Sequence, residues 1–179
     1  KTLKQNTKET LGSVKAYAAK NKLVVNEKQI LKEVSKSSAA IQVSLGMSTS
    51  ELARSVVQAK KYGLNMAQTE KMAGSLLNFE QSIENELAAE LITGKSLNLE
   101  KARGLALNND TAGAAAEIAK QVGSAAEFGK MNRIQQEAIA AAVGLGREEL
   151  AQSLIDKEAL AAIGAKEGDT ALETYQQRL

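Results

Sequence analysis

The spacing of the apolar residues constrains the fold of this chain more than any other feature of its sequence. Apolar side chains recur at steps of three and four along nearly all of the 179 residues, and alternation by two is almost absent. Steps of three and four place side chains on one face of an α-helix, whereas a half-buried strand alternates. The chain also has no Pro, which would remove a backbone donor and clash with the preceding helical turn. We therefore predict an all-α fold.

Gly and Asn residues divide this helical pattern into segments. Three corners share one arrangement, a Gly that ends a helix and then a single apolar residue before the next helix: Gly46-Met47, Gly63-Leu64 and Gly144-Leu145. Such a Gly takes the left-handed conformation that ends a helix, and the apolar residue folds back on the preceding turn. Together with a turn at Asn108-Asn109-Asp110, these corners predict seven to nine helices in a chain that folds back on itself.

Helix starts are indicated by a polar residue that is followed three positions later by Glu or Gln. In such a capping box each residue bonds the backbone N–H of the other. The pairs are Asn26 and Gln29, Ser48 and Glu51, Asn65 and Gln68, Ser124 and Glu127, and Asn132 and Gln135. We also expect Ser96 or Asn98 to start a short helix, and the last clear helix to run from Arg147 to about Ile163.

The strongest apolar pattern lies near the middle of the chain. We name its six members the predicted stripe: Met72, Leu76, Phe79, Ile83, Leu87 and Leu91. The cap at Asn65 before it and Gly94 after it predict one long helix near residues 66–92, about 40 Å in length. The stripe is either the buried face of a core helix or a seam for a partner helix or further copies of the chain. The outer face is expected to carry Glu80, Glu84 and Glu86, with Glu90 near the end.

Charge and pattern divide the chain into three expected parts. Residues 1–45 form a basic N-terminal helical segment, residues 46–164 a helical core, and residues 165–179 a weakly patterned tail or short helix. Within the first part, residues 1–36 contain nine Lys and three Glu. A basic segment can contact nucleic acid or anionic lipid. Because these lysines are scattered and no Arg is among them, a solvated helix face is the favoured interpretation.

The composition removes most catalytic machinery. Without His or Cys there is no thiol nucleophile, no Ser-His-Asp triad and no zinc site of imidazole or thiolate ligands. A cell-wall hydrolase using Glu80 or Glu84 is an alternative, but a general acid needs a desolvated carboxyl group, and both residues lie opposite the predicted stripe. We therefore expect no enzyme, no cofactor and no metal ion.

The helix–Gly–helix corners raise nucleic-acid binding as a second alternative. It would use the basic residues 1–36 together with the Gly-cornered helix pairs. The helices after Gly46 and Gly144 carry Glu51, Glu148 and Glu149 in their first turns. Acidic residues there suit the helix dipole but repel phosphate, so packing between helices is the favoured interpretation of the corners.

No membrane or export signal is expected in this piece of sequence. It contains no run of about 18 apolar residues, as a membrane-spanning helix requires. No charged-then-apolar signal peptide opens it. Because Lys1 rather than Met comes first, we expect an excised or processed piece of a longer protein.

Two stretches resemble a segment of bacteriophage tail tape measure proteins. They are LLNFEQSIENELAAELITGKSLNLEKARGLALN at residues 76–108 and GSAAEFGKMNRIQQEAIAAAVGLGREELAQSL at residues 123–154. Residues 48–63, STSELARSVVQAKKYG, are similar in character. The resemblance covers somewhat more than half of the chain. It extends over whole stretches of sequence and includes no catalytic motif, so it implies no functional residue in this chain.

The resemblance implies a structural protein of the phage tail. Tape measure proteins are helical chains that run through the tail tube, determine tail length during assembly and leave ahead of the DNA during genome delivery. The implied partners are copies of the chain and other tail proteins, with DNA nearby in the tail lumen. The implied location is the virion, after synthesis in the bacterial host cytoplasm. Because Gly corners interrupt the heptads that an extended tape measure shows, we expect a compact helical domain within, or at one end of, such a protein.

Overall fold

The computed structural model describes residues 12, 15–19, 27–36, 39, 43 and 49–178. Among these residues none lies in a strand, and the predicted all-α class is confirmed. Nine helices have their bounds within the described residues: α1 (Glu27–Lys36), α2 (Thr49–Lys61), α3 (Met66–Leu77), α4 (Phe79–Thr93), α5 (Glu100–Leu107), α6 (Thr111–Val122), α7 (Ala125–Gly129), α8 (Arg133–Val143) and α9 (Arg147–Arg178).

The chain divides into two compact units. The first contains residues Lys1–Lys61 and Lys157–Leu179, and the second contains Tyr62–Asp156. In the first unit α1 packs against α2, with Ile30 of α1 and Val56 of α2 both fully buried. Lys60 and Glu33 form an ion pair of 2.7 Å between the same two helices. The predicted segments 1–45, 46–164 and 165–179 stay predictions.

In the second unit α3 is the central element. It packs against α4, α5, α6 and α8, while α5 packs on α6 and α8 packs on α4. Large side chains such as Leu76, Leu99 and Ile139 are buried at the centre. Much of the rest of the core is small, with five buried Ala residues in α5 and α6: Ala102, Ala106, Ala112, Ala114 and Ala115. Small side chains allow the helix backbones to approach closely, and they bury less apolar area per residue.

The helix starts predicted at Asn65, Ser124 and Asn132 are confirmed, whereas the short helix expected from Ser96 or Asn98 begins at Glu100, with Leu99 as its N-cap. The Asn65 side chain accepts from Gln68 N at 2.8 Å, and the Gln68 side chain accepts from Asn65 N at 3.0 Å. Asn132 and Gln135 form the same reciprocal box. Ser124 Oγ accepts from Glu127 N at 3.1 Å. Asn26 and Ser48 lie outside the described residues.

Two of the three predicted Gly corners are confirmed. Gly63 has φ 73° and Gly144 has φ 82°, so both adopt the left-handed conformation. The residues after them, Leu64 and Leu145, are buried at 5% and 6% exposure. The backbones also approach other helices here: a Cβ on Gly144 would lie 2.5 Å from Ser75 Cβ, and one on Gly63 would overlap the Ser153 carbonyl. Gly46 lies outside the described residues.

The predicted single helix near residues 66–92 is wrong. Asn78 interrupts it with a ψ of 77°, and its N–H donates to Ser75 O at 3.3 Å instead of continuing the helical ladder. The result is two helices, α3 and α4, that pack against each other. Short polar side chains such as Asn compete for backbone bonds and favour helix ends, but their presence alone does not fix a break.

The predicted end near Ile163 is also wrong. Helix α9 continues for 32 residues, from Arg147 to Arg178. It passes through Gly164 and Gly168, beyond the predicted end. A Gly inside a helix is unfavourable by about 1 kcal/mol relative to Ala, but it keeps its N–H and does not clash as Pro does.

Candidate interaction surface

The six residues of the predicted stripe do not share one face. Met72 and Leu76 lie on α3 and are buried, at 2% and 0% exposure. The other four lie on α4, after the break at Asn78, and are exposed by 45% to 87%. We name these four the exposed row: Phe79, Ile83, Leu87 and Leu91.

The outward position of the exposed row follows from what α4 buries instead. Only Ser82 and Ala89 of this helix are buried, and both are small. α4 packs against α8, where Asn85 Nδ2 donates to Ala141 O at 3.4 Å and Gln135 Nε2 donates to Ile92 O at 3.3 Å. Successive residues of a helix are about 100° apart, so each step of four turns the row about 40° further from this packed side. Leu91, at its end, is 87% exposed.

A groove of about 460 Å³ separates the start of the exposed row from α5. Its apolar lining is Phe79 and Ile83 from α4, Leu97 from the connector, and Leu107 from α5. Leu107 is itself 61% exposed. Gly104 also lines the groove, and a Cβ on it would meet no atom within 4 Å, so the α5 backbone is accessible there.

A buried ion pair forms the polar side of the groove. Arg103 Nη2 lies 2.7 Å from Glu86 Oε2, and the two side chains are only 9% and 12% exposed. Arg103 Nε also donates to Ser82 Oγ at 3.0 Å, and Glu86 Oε1 accepts from Leu99 N. Each charged group is therefore hydrogen-bonded as well as paired, which a buried pair requires in order to be tolerated.

Side chains bind several backbone amides of the connector, residues 94–99, between α4 and α5. Glu90 Oε1 accepts from Leu97 N at 3.0 Å, Gln121 Oε1 accepts from Asn98 N at 3.0 Å, and Glu86 accepts from Leu99 N. The expectation that Glu86 and Glu90 lie on the outer face is therefore wrong. Their carboxylates satisfy connector amides that would otherwise be buried without partners. Just before α5, whose N-cap is Leu99, Asn98 Oδ1 accepts from Glu100 N at 3.1 Å.

Three carboxylates border the apolar surface, and we name them the acidic rim: Glu80, Glu84 and Glu100. Glu80 and Glu84 are exposed on the side of the row away from the groove, and exposed Glu100 lines the groove itself. The ion pairs among the described residues use other carboxylates. The nearest lysine in sequence to Glu100, Lys101, pairs with Glu117 at 3.1 Å.

The described residues give little support to the two alternative functions, a cell-wall hydrolase and a nucleic-acid-binding domain. Glu80 and Glu84 are exposed, so neither has the desolvation that a general acid at neutral pH needs. In the part of the chain that the structure describes, no group of three or more carboxylates is placed to hold a metal ion. At the Gly144 corner, Arg147 donates to Gln136 Oε1 and pairs with Glu148. These two contacts engage the guanidinium group, which is the cation that a phosphate would bind there.

Glu149, in the first turn of α9, is fixed by two further contacts. It pairs with Lys71 of α3 and accepts from Gly146 N at 3.1 Å. The hydrogen bond from Lys71 and the backbone N–H of Gly146 lower the pKa of this carboxyl below its ordinary value. Glu149 therefore connects α9 to α3 and caps the start of α9. These contacts give it a structural role and do not indicate nucleic-acid binding.

None of the described helices combines the length and apolar character needed to cross a bilayer. Comparison with known proteins finds no matching family model, no matching curated protein and no matching solved structure.

Proposed function

We propose that this chain is a structural helical domain that acts by binding other proteins through the exposed row and its groove. The observation that carries the proposal is the exposure of four large apolar side chains along one helix. Phe79, Ile83 and Leu87 are each about half exposed, at 45%, 46% and 54%. Contiguous apolar surface of this kind on a folded protein marks interaction sites. The proposal gives the chain no catalytic role.

The resemblance to tape measure proteins extends the proposal to a bacteriophage tail. The resembling stretches 76–108 and 123–154 contain the whole of α4 and α5 and therefore the candidate surface. Under this proposal the domain takes part in tail assembly, length determination and genome delivery. Its partners are copies of itself and other tail proteins, and its location is the virion.

The exposed row by itself supports only weak association. Full burial of a Leu, Ile or Phe side chain contributes about 1.5–3 kcal/mol, so completing the burial of three half-exposed ones contributes roughly 3 kcal/mol in total. The loss of translational and rotational freedom costs about 4–15 kcal/mol on association. Binding through this surface therefore requires further contacts from the partner, and self-association of the isolated chain is expected only at high protein concentration.

Sedimentation velocity over a wide range of concentrations tests self-association. We expect the wild-type sedimentation coefficient to rise with concentration and the Ile83→Asp variant to remain monomeric. Ile155→Asp is the matched control, because Ile155 is 54% exposed on α9 rather than α4. A wild-type monomer at every concentration, unchanged by Ile83→Asp, would contradict self-association.

The assignment to a phage tail has a separate test. The reading frame that encodes this sequence should run for many hundreds of codons and lie beside genes for tail tube and tail tip proteins. A short frame among genes of another system would contradict the assignment and leave the binding surface untouched.

A further inference from the structure

We propose that the exposed row and its groove receive a basic amphipathic helix, in which Lys or Arg residues flank apolar residues at steps of three and four. This inference rests on the proposed function and names the chemistry of the partner at the same surface. Three features of the described residues support it: the shape of the surface, its uncompensated negative charge, and the charge that a second copy would bring.

The shape fits a helix lying along α4. Phe79, Ile83 and Leu87 are spaced by one helical turn each, about 6 Å apart along the axis, which matches the spacing of apolar residues on a partner helix. Beside them the groove is bordered by Leu107 and the bare backbone at Gly104. A helix that inserts apolar side chains into such a groove is a common mode of recognition.

The charge of the surface is acidic. Helix α4 contains no Lys or Arg, and the acidic rim of Glu80, Glu84 and Glu100 has no ion-pair partner among the described residues. The one Arg in the groove, Arg103, is 8% exposed and is neutralised by Glu86. Lys or Arg on a partner helix would meet unpaired carboxylates on both sides of the apolar strip, and such complementarity selects partners and speeds association.

The same charge disfavours pairing of this surface with its copy. A two-fold interface places the same patch on both sides, so the acidic rim of one chain would face the acidic rim of the other. Like charges brought together oppose association. Copies of the chain therefore associate here only when one copy presents a different, basic surface to the exposed row of the next.

Fluorescence anisotropy with synthetic peptides and the full chain tests the inference. The probe is an amphipathic peptide of about 15 residues with Leu at helical spacing and Lys on both flanks, long enough to lie beside the row. The control peptide keeps every Leu and replaces every Lys with Glu. Because each exposed ion pair contributes modestly, three of them predict a roughly tenfold preference for the basic peptide at low salt. The preference should shrink as salt rises.

Two variants and a charge-matched control assign the binding to this surface. Glu80→Lys/Glu84→Lys/Glu100→Lys should reverse the preference, so that the acidic peptide binds more tightly. Glu70→Lys/Glu137→Lys/Glu148→Lys makes the same change in net charge at exposed positions on α3, α8 and α9, and it should leave the preference intact. Ile83→Asp should weaken binding of either peptide at least tenfold. Because Ile83 is 46% exposed, the variant should keep the wild-type circular dichroism spectrum.

Equal affinity for the two peptides, or no change in the rim variant, would overturn the inference. If neither peptide binds but the wild type self-associates in an Ile83-dependent way, the inference fails and the proposed function stands. If neither peptide binds and the chain remains monomeric, both fail. If the basic peptide binds equally to wild type and to Ile83→Asp, the binding is charge attraction elsewhere and the inference is again overturned.

Discussion

Replacing Arg103 with Met tests the ion pair that joins α4, α5 and their connector. Met is apolar and its side chain is similar in length to that of Arg, so the substitution removes the charge while it leaves little empty space. The change leaves the Glu86 carboxylate at 12% exposure without its cation, and it removes the donor to Ser82 Oγ. The structure therefore predicts a loss of stability from one unpaired buried charge, with packing as a minor contribution.

The magnitude follows from what remains around Glu86. Removing one member of a buried ion pair typically costs about 3–5 kcal/mol. Glu86 keeps its hydrogen bond from Leu99 N and some contact with solvent, and Ser82 can bond back to the carbonyl one turn earlier. We therefore expect Arg103→Met to lower the free energy of unfolding by about 3 kcal/mol, at the lower end of that range.

A double-mutant cycle separates the charge from the packing. Glu86→Gln keeps an oxygen for Leu99 N but turns an N–H₂ group toward the Arg103 guanidinium, so this single variant is also destabilised. In Glu86→Gln/Arg103→Met neither charge remains, and the amide still bonds Leu99 N. The double variant should recover at least 2 kcal/mol relative to the sum of the two single losses, within the range measured for directly interacting pairs.

Urea unfolding followed by far-UV circular dichroism gives these free energies, provided that the dependence on urea stays constant across the variants. Hydrogen exchange at the Leu99 amide supplies a local measurement, because that amide should lose protection in Arg103→Met and regain it in the double variant. An Arg103→Met midpoint equal to wild type, or strictly additive losses in the cycle, would refute the role given to this pair.

Two further predictions concern contacts of α3 with the corner between α8 and α9. Gly144→Ala should destabilise the chain by about 2–4 kcal/mol, because Ala disfavours the left-handed conformation and its Cβ would lie 2.5 Å from Ser75 Cβ. Gly74→Ala, with nothing within 4 Å, should be neutral or stabilising by up to about 1 kcal/mol, and equal urea midpoints for the two variants would contradict the prediction. Because Glu149 has a lowered pKa in the folded chain, its stabilisation is present above the ordinary Glu pKa and is lost as pH falls through the folded pKa. Glu149→Gln should therefore be less stable than wild type at neutral pH and approach it as the pH falls below the ordinary Glu pKa in urea titrations; a constant difference at all pH values would contradict this.

The sequence predicted local structure well where one residue's backbone chemistry decides the outcome. The reciprocal caps at Asn65 and Asn132 depend on side chains three positions apart, so the pattern contains both partners. Gly63 and Gly144 end their helices because only Gly adopts the left-handed conformation without cost. Asn78 shows the limit of this reasoning, since Asn is tolerated inside a helix and a break there depends on the packing of α3 against α4.

Burial was harder to predict, because it depends on which neighbour covers a helix face. The pattern of α4 places Glu86 and Glu90 near Phe79 and Ile83, and nothing within the helix shows that connector amides 13 and 7 residues further along would need their carboxylates as acceptors. The burial of Arg103 could not be predicted, because the sequence does not distinguish a buried Arg from an exposed one. One sequence pattern does point to the role of the two carboxylates. Glu86 and Glu90 are one turn apart, and the irregular segment after the Gly-ended helix has backbone amides that need acceptors.

The composition of α4 supports the proposal that a partner covers its apolar row. On its packed sides the helix presents Ser82, Asn85, Glu86 and Ala89, whose contacts are hydrogen bonds, one ion pair and a single small apolar side chain. The parts of Ile83 and Leu87 that stay exposed do not stabilise the described fold, and exposed apolar surface promotes non-specific association. A sequence under no demand from a partner would gain solubility by placing polar residues at 83 and 87. A basic helix that covers these positions accounts for both the apolar row and the unpaired carboxylates beside it.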